Sequence, residues 1–236
     1  MARMFSLESL RGATPPIRAR LSTGMPALDA VLGGGLSLGQ LAEISGAAGT
    51  GRSSLALSLA LRCLALGHAV AWIESQPRFW PLQPLEAGLP LDRLLLVRVA
   101  AEERLRALQL LLASPGAAAV AVVDLEGARA GREIAPHQLV QLHRLAERSA
   151  TLVLFLTDRG PEATSLGPLI DVRLHLRPAR ALPPGPAEPG AGEPGERDIF
   201  ERQLELEILR HKQGPSRGRF TEPLHGPDRL RLRSTL

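Results

Sequence analysis

Apolar residues in this chain fall into short continuous runs separated by amphipathic stretches. Leu41–Ser45, Ala69–Glu74, Leu94–Val99, Ala117–Asp124 and Leu152–Leu156 each read as a strand. Strands that are apolar throughout are buried on both faces, as in a parallel sheet covered by helices. Helical spacing appears between them at Met25–Leu32, Ser53 to about Leu66, Pro81–Ala87, Glu102–Leu112 and Pro136–Arg148. Gly67 is placed to stop the second of these helices. In the last, Leu139, Leu142 and Leu145 share one side. Ile170–Leu176 and Gln203–Leu209 alternate and read as two strands that pair with each other. The pattern predicts an α/β fold: a mostly parallel, twisted central sheet with helices on both faces and antiparallel strands at the C-terminal end.

The punctuation between these elements sets the organisation. Residues 1–20 mix a short helical stretch, Phe5–Leu10, with Gly12 and Pro15-Pro16, and read as an N-terminal arm. Residues 21–236 form the core. Within it, residues 178–196 are rich in Pro, Gly, Ala and Glu without an apolar period. Such a segment gains too little burial to offset ordering, so it reads as a flexible loop. Residues 214–236 read as a basic tail.

Composition narrows the classes. With 236 residues, 44% hydrophobic and 22% charged, the chain suffices for one sizeable domain. Aromatics are 3%, so the core is built from Leu, Val, Ala and Ile. A single cysteine, Cys63, excludes a disulfide framework and any multi-cysteine zinc site. It lies in the apolar stretch Leu59–Leu66 and reads as a small buried hydrophobe. The most apolar window, Leu55–Ile73, carries Arg62 and His68 and has helix-then-strand character, so no membrane span is expected. The first residues lack the apolar stretch of a signal peptide, and a cytoplasmic protein is expected.

Charge is unevenly placed. The net charge is +4, and Ile208–Leu236 holds seven basic residues against Glu222 and Asp228. Arg217, Arg219, Arg229, Arg231 and Arg233 make this end a candidate contact for DNA or for an acidic partner, with a solvated surface as the alternative.

The sharpest motif is Gly46-Ala47-Ala48-Gly49-Thr50-Gly51-Arg52-Ser53-Ser54. It has the spacing of a phosphate-binding loop between a strand and a helix, with arginine where lysine is usual. Glycines let backbone N–H groups turn inward around phosphate oxygens, and the helix N-terminus adds positive partial charge. Arg52 keeps the lysine's charge on a longer planar fork, and Ser53 is a candidate Mg²⁺ ligand. Asp124, ending an apolar strand, stands where a second acid holds Mg²⁺ through water. The plain alternatives are a tight strand-to-helix turn and an ordinary strand-ending Asp.

The stretch Leu21-Ser22-Thr23-Gly24-Met25-Pro26-Ala27-Leu28-Asp29, then Gly33-Gly34-Gly35-Leu36, Gly39 and Glu43-Ile44-Ser45-Gly46, resembles the start of the RecA-type ATPase core. The resemblance runs from about residue 20 to 213, outside the Pro/Gly loop. It implies a RecA-like ATPase core that binds ATP or ADP with Mg²⁺ through Gly46, Gly49, Thr50, Gly51, Arg52, Ser53 and Ser54 and through Asp124. Within that superfamily the chain most resembles the ImuA group. These RecA-like proteins of bacterial damage-induced mutagenesis cassettes act with ImuB and an error-prone polymerase. By resemblance the partners are RecA and an ImuB-type protein, together with DNA and, for a surviving head-to-tail interface, another copy of the chain. The implied place is the bacterial cytoplasm at the nucleoid, without a membrane.

The departures from RecA bear on chemistry. Gln76 stands where the resemblance expects the catalytic glutamate, and a neutral amide accepts no proton from water. Glu74 is nearby but out of register. Thr157-Asp158 replaces an Asn-Gln pair that senses the terminal phosphate, and Asp158 would repel it. The two segments corresponding to DNA-lining loops, Leu125–Ala135 and Arg159–Leu169, are short and contain no aromatic residue to stack on bases. Arg129, Arg132 and Arg159 read as solvated loop charges, with contacts to phosphates as the alternative. Arg210 and Lys212 match positions from which RecA sends basic side chains into the neighbouring subunit's nucleotide site. The leading expectation is an accessory factor of SOS-induced translesion synthesis that lacks vigorous ATPase activity. The alternative is a DNA-dependent ATPase with Arg52 as phosphate clamp, Ser53 and Asp124 on Mg²⁺, and Glu74 as base. His137 and His143 are not spaced to share a metal. Trp72 reads as core; Phe79 and Trp80, among Pro77, Arg78 and Pro81, read as core packing, with an exposed contact patch as the alternative.

Overall fold

The computed structural model describes residues 19–79, 91–114, 116–126, 134–178, 202–214 and 218–224. The short helices expected at Phe5–Leu10 and Pro81–Ala87, most of the 178–196 loop, Trp80, Arg129, Arg132, Arg217, Arg229, Arg231 and Arg233 lie outside these residues.

In chain order the elements are β1 (Arg20–Leu21), α1 (Pro26–Val31), β2 (Leu36–Ser37), β3 (Leu41–Ser45), α2 (Arg52–Ala65), β4 (Val70–Glu74) and β5 (Leu94–Arg98). There follow α3 (Arg104–Leu112), β6 (Val120–Asp124), α4 (Pro136–Ser149), β7 (Leu152–Thr157), β8 (Val172–Arg177), β9 (Arg202–His211) and β10 (Arg219–Leu224). Eight strands make one sheet in the order β10-β9-β8-β3-β7-β6-β4-β5. From β8 to β5 every neighbouring pair is parallel, whereas β8–β9 and β9–β10 are antiparallel. The expected α/β architecture is therefore present, including the pairing of the two alternating C-terminal segments.

Double-sided burial accounts for the unbroken apolar runs. Along β6, Val120 and Val122 face one cluster with Leu55, Leu59 and Trp72, and Ala121 and Val123 face the other with Leu108, Leu139 and Leu142. The helix α2 thus packs on one face of the sheet and α3 and α4 on the other. Helix α2 ends in a Schellman arrangement: Gly67 N–H donates to Leu64 O at 2.8 Å and His68 N–H to Cys63 O at 3.1 Å. Cys63 is buried, as its neighbours suggest, and burial pushes its thiol up to about 12.

Two boundaries differ from expectation. Arg20, assigned to the arm, is in β1, which pairs with β2, and its guanidinium donates to Leu32 O and Gly35 O. Residues 219–224, assigned to a basic tail, form the sheet's edge strand β10, with Pro223 opposite Gln203. The alternation that exposes a hairpin is masked there by Arg219, Glu222 and Pro223. The Leu21–Asp29 motif has a local reason as well. Asp29 accepts bonds from Ser22 Oγ (2.6 Å), Thr23 N (2.8 Å) and Thr23 Oγ1 (2.7 Å), fixing the turn into α1.

Candidate functional site

Strand β3 passes through the glycine loop into α2, and the chain returns as β4 beyond β7 and β6. The C-terminal ends of β3, β7, β6 and β4 thus share one edge at a topological switch point, where open α/β sheets bind ligands. Gly51 caps α2 in the left-handed region (φ 94°), with no side-chain cap on the helix N–H groups. The loop fits closely against the C-terminal strands. A Cβ on Gly46 would lie 2.5 Å from Leu176 O, and one on Gly51 would lie 2.4 Å from Leu204 Cδ2. Thr50 is buried and donates through Oγ1 to Ala47 O at 2.8 Å, closing the loop on itself. Ser53 and Ser54 are exposed on the first turn of α2, and Gly49 faces open space.

Arg52 is engaged within the chain. Its Nη2 lies 3.2 Å from Glu126 Oε2, the side chain is 5% exposed, and Nη1 is buried without a hydrogen-bond partner. The same Glu126 oxygen pairs with Arg78 Nη1. Asp124 sits at the end of β6, buried, with Oδ1 accepting the Glu126 N–H at 2.9 Å. Burial raises its pKa, opposed by that N–H and by Arg78. Beneath it the buried Arg104 donates to the carbonyls of Asp124 and Glu126.

Glu74 is engaged within the chain. Its carboxylate is fully buried and accepts three bonds: from Arg98 Nε (2.8 Å), Arg78 N (3.1 Å) and Phe79 N (2.9 Å). The turn that Glu74 organises brings Phe79 onto Trp72, with ring centroids 4.8 Å apart. Gln76 is exposed and accepts from Arg78 Nη2 at 3.0 Å. Asp158 is exposed just beyond β7.

The segment after β7 is fastened down. Glu43, fully buried in β3, accepts from Thr157 Oγ1 (2.9 Å), Ser165 Oγ (2.9 Å) and Leu166 N (3.1 Å), with Arg173 Nε at 3.6 Å. Arg173 in turn donates to Ala163 O and Gly160 O, and Arg159 donates to Thr164 O. Arg210 donates to Gly167 O (3.3 Å) and Pro168 O (2.8 Å), and Lys212 Nζ lies 2.8 Å from Asp171 Oδ1. The two basic side chains matched to a trans contact are thus engaged in their own chain. Arg219, matched to DNA, is exposed on β10 with Nε 3.6 Å from Glu207. His143 lies between Glu147 (3.3 Å) and Asp171 (3.8 Å), and the described residues contain no group of three or more His, Cys, Asp or Glu side chains placed to hold a metal ion. None of their helices is long and apolar enough to cross a membrane.

Glu126, Arg78 and Arg173 were not singled out from sequence. Their signals are a second acid two residues after Asp124, an arginine four residues after Glu74, and a charge inside the alternating strand Val172–Arg177.

Two imidazoles couple this region to pH. Burial lowers the His175 pKa below its ordinary 6.5, helped by Arg173 and Arg177, and burial also lowers His211, helped by Arg20. The unfolded chain then takes up protons at a higher pH than the folded one. The stability that these two neutral imidazoles contribute is expected to be full above about pH 6.5 and to diminish as pH falls below it. In urea midpoints measured across that interval, His175→Gln should give a shallower slope than the wild type.

The residues present fit a phosphate-bearing ligand in one respect, that Arg52 keeps a buried donor without a partner, while the collisions at Gly46 and Gly51 report packing against Leu176 and Leu204 of the chain itself. Were Mg²⁺ to accompany such a ligand, Asp124 at the end of β6 and Ser53 on the first turn of α2 would hold it.

No protein-family model matches the chain. It is 31% identical over 163 residues to protein RecA of Gluconobacter oxydans, covering 61% of this chain and 47% of that protein. It is 26% identical over 235 residues to protein RecA of Rhodospirillum rubrum, covering 87% of this chain and 61% of that one. The chain therefore spans about half to three-fifths of the length of these relatives. The crystal structure of the RadB recombinase superposes with a TM-score of 0.65 at 22% identity, covering 85% of this chain and 94% of that one. The chain has the fold of the RecA-like recombinases, a mostly parallel sheet with antiparallel C-terminal strands.

Proposed function

We propose that this chain is a RecA-like accessory factor of damage-induced translesion synthesis that works through protein contacts and DNA binding rather than through ATP turnover. The observation that carries the reading is that Glu74, the carboxylate nearest the expected position of a base, accepts three donors within the chain. Gln76, the residue in register, is turned to Arg78. The fastening of residues 158–171 by Glu43, Arg173, Arg210 and Lys212 supports a role other than RecA-style filament formation on single-stranded DNA.

A nucleotide, ATP or ADP with Mg²⁺, is part of the proposal. The glycine loop and Arg52 would hold its phosphates, and Ser53 and Asp124 would hold the ion. When bound, the nucleotide would supply phosphate charge at the glycine loop, and its binding and exchange, not its cleavage, would distinguish two states of the chain. The partners are RecA and an ImuB-type protein, and the place is the bacterial cytoplasm. DNA is met by the exposed Arg219 and by the arginines that follow β10 in the sequence.

The test is to mix the purified chain with RecA on single-stranded DNA and to co-purify it with an ImuB-type protein. Altered filament length together with co-purification is expected, and the absence of both effects would refute the role. In the same preparations, DNA affinity should fall steeply with salt, and a chain ending at residue 224, which keeps β10, should show a flatter slope.

A further inference from the structure

Three separate parts of the chain converge on one carboxylate. Arg52 arrives from the first turn of α2, Arg78 from the turn after β4, and Glu126 from the end of β6. Arg78 and Glu126 are held through their backbones. Glu74 accepts the Arg78 N–H, Asp124 accepts the Glu126 N–H, and Arg104 donates to the Glu126 carbonyl at 3.3 Å. Two guanidinium groups present more donors than one carboxylate oxygen takes, and Arg52 Nη1 is left buried and unpartnered. A phosphoryl group, with three oxygens and more charge, matches two planar forks better than a carboxylate does. The uncapped N-terminus of the 14-residue α2 favours an anion at the same place.

We propose that Arg52 and Arg78 form a two-armed oxyanion clamp and that Glu126 is its built-in occupant. The terminal phosphate of a nucleotide enters this clamp only by displacing the Glu126 carboxylate. The inference rests on the reading that the Gly46–Gly51 loop takes a nucleotide, and it adds an internal competitor for that ligand. If the closed Arg52–Glu126–Arg78 arrangement is populated at about 90–99%, it weakens apparent affinity roughly 10- to 100-fold.

Equilibrium binding of labelled ATP, with inorganic tripolyphosphate as a probe lacking the nucleoside, tests this on the full chain. The variants are Glu126→Gln, Arg78→Gln and the two combined. Glu126→Gln should tighten both probes by about tenfold or more, and adding Arg78→Gln should remove most of that gain. Should Glu126→Gln fail to fold, Glu126→Asp, one methylene shorter, reads the same competition with a smaller gain. Equal ATP affinity in wild type and the Glu126 variants would overturn the internal competitor and leave nucleotide binding standing. Absence of ATP binding in every variant at millimolar concentration would overturn the nucleotide reading and the clamp with it.

Discussion

Arg173→Ala is expected to lower the unfolding free energy by about 3–5 kcal/mol, the range for removing one partner of a buried ion pair. The Arg173 side chain is 4% exposed and sits against Glu43, which is fully buried. Burial pushes the guanidinium's pKa down and Glu43 pulls it back, so the charge is held by its partner. Without Arg173 the Glu43 carboxylate keeps three donors but no counter-charge, and the carbonyls of Gly160 and Ala163 lose theirs. The double variant Glu43→Gln, Arg173→Met should cost less than Arg173→Ala alone, because no unpaired charge stays in the core. Urea unfolding checks both: the midpoint should move at constant slope. A loss below about 1 kcal/mol would mean that water reaches the pair and screens it.

ATP hydrolysis with or without single-stranded DNA is expected to be roughly 10²–10⁴-fold slower than in a RecA-type enzyme with a free catalytic carboxylate. A base must have a lone pair directed at the attacking water. Glu74 directs its oxygens at Arg98 and at two backbone N–H groups instead. Gln76→Glu would restore a carboxylate in register, but beside Arg78, whose Nη2 already lies 3.0 Å from the Gln76 oxygen. That variant alone should therefore recover little of the rate. Phosphate release is the measurement, with Asp124→Ala as control. Brisk turnover that vanishes in the control would instead support the DNA-dependent ATPase.

The parallel strands were legible because burial on both faces writes an unbroken apolar run, as in Val120–Val123. The glycine loop was legible because few other residues tolerate its backbone and its closeness to Leu176 and Leu204. The Arg52–Glu126–Arg78 contact was not, since it joins three strand ends whose order along the sheet differs from their order along the chain. Glu43 and Arg173 were each visible as charges in apolar surroundings. What periodicity cannot supply is the parallel register that sets Glu43 opposite Arg173. Arg210 and Lys212 were read through a resemblance to a contact between subunits, and a resemblance does not report whether the same side chains have found acceptors at home. The strand β10 was hidden by its composition, because arginine and proline suggest solvent and not a ladder.

That last strand also shapes how the molecule meets its own copies. A sheet ending in a long, regular strand is a template for another chain's backbone, and runaway stacking is the hazard. Here the outermost strand among those described carries Pro223, which has no N–H to offer, and Arg219, a charge on the outer rim. The margin of the sheet is thereby interrupted, so growth by strand addition at that side is discouraged even at high protein concentration.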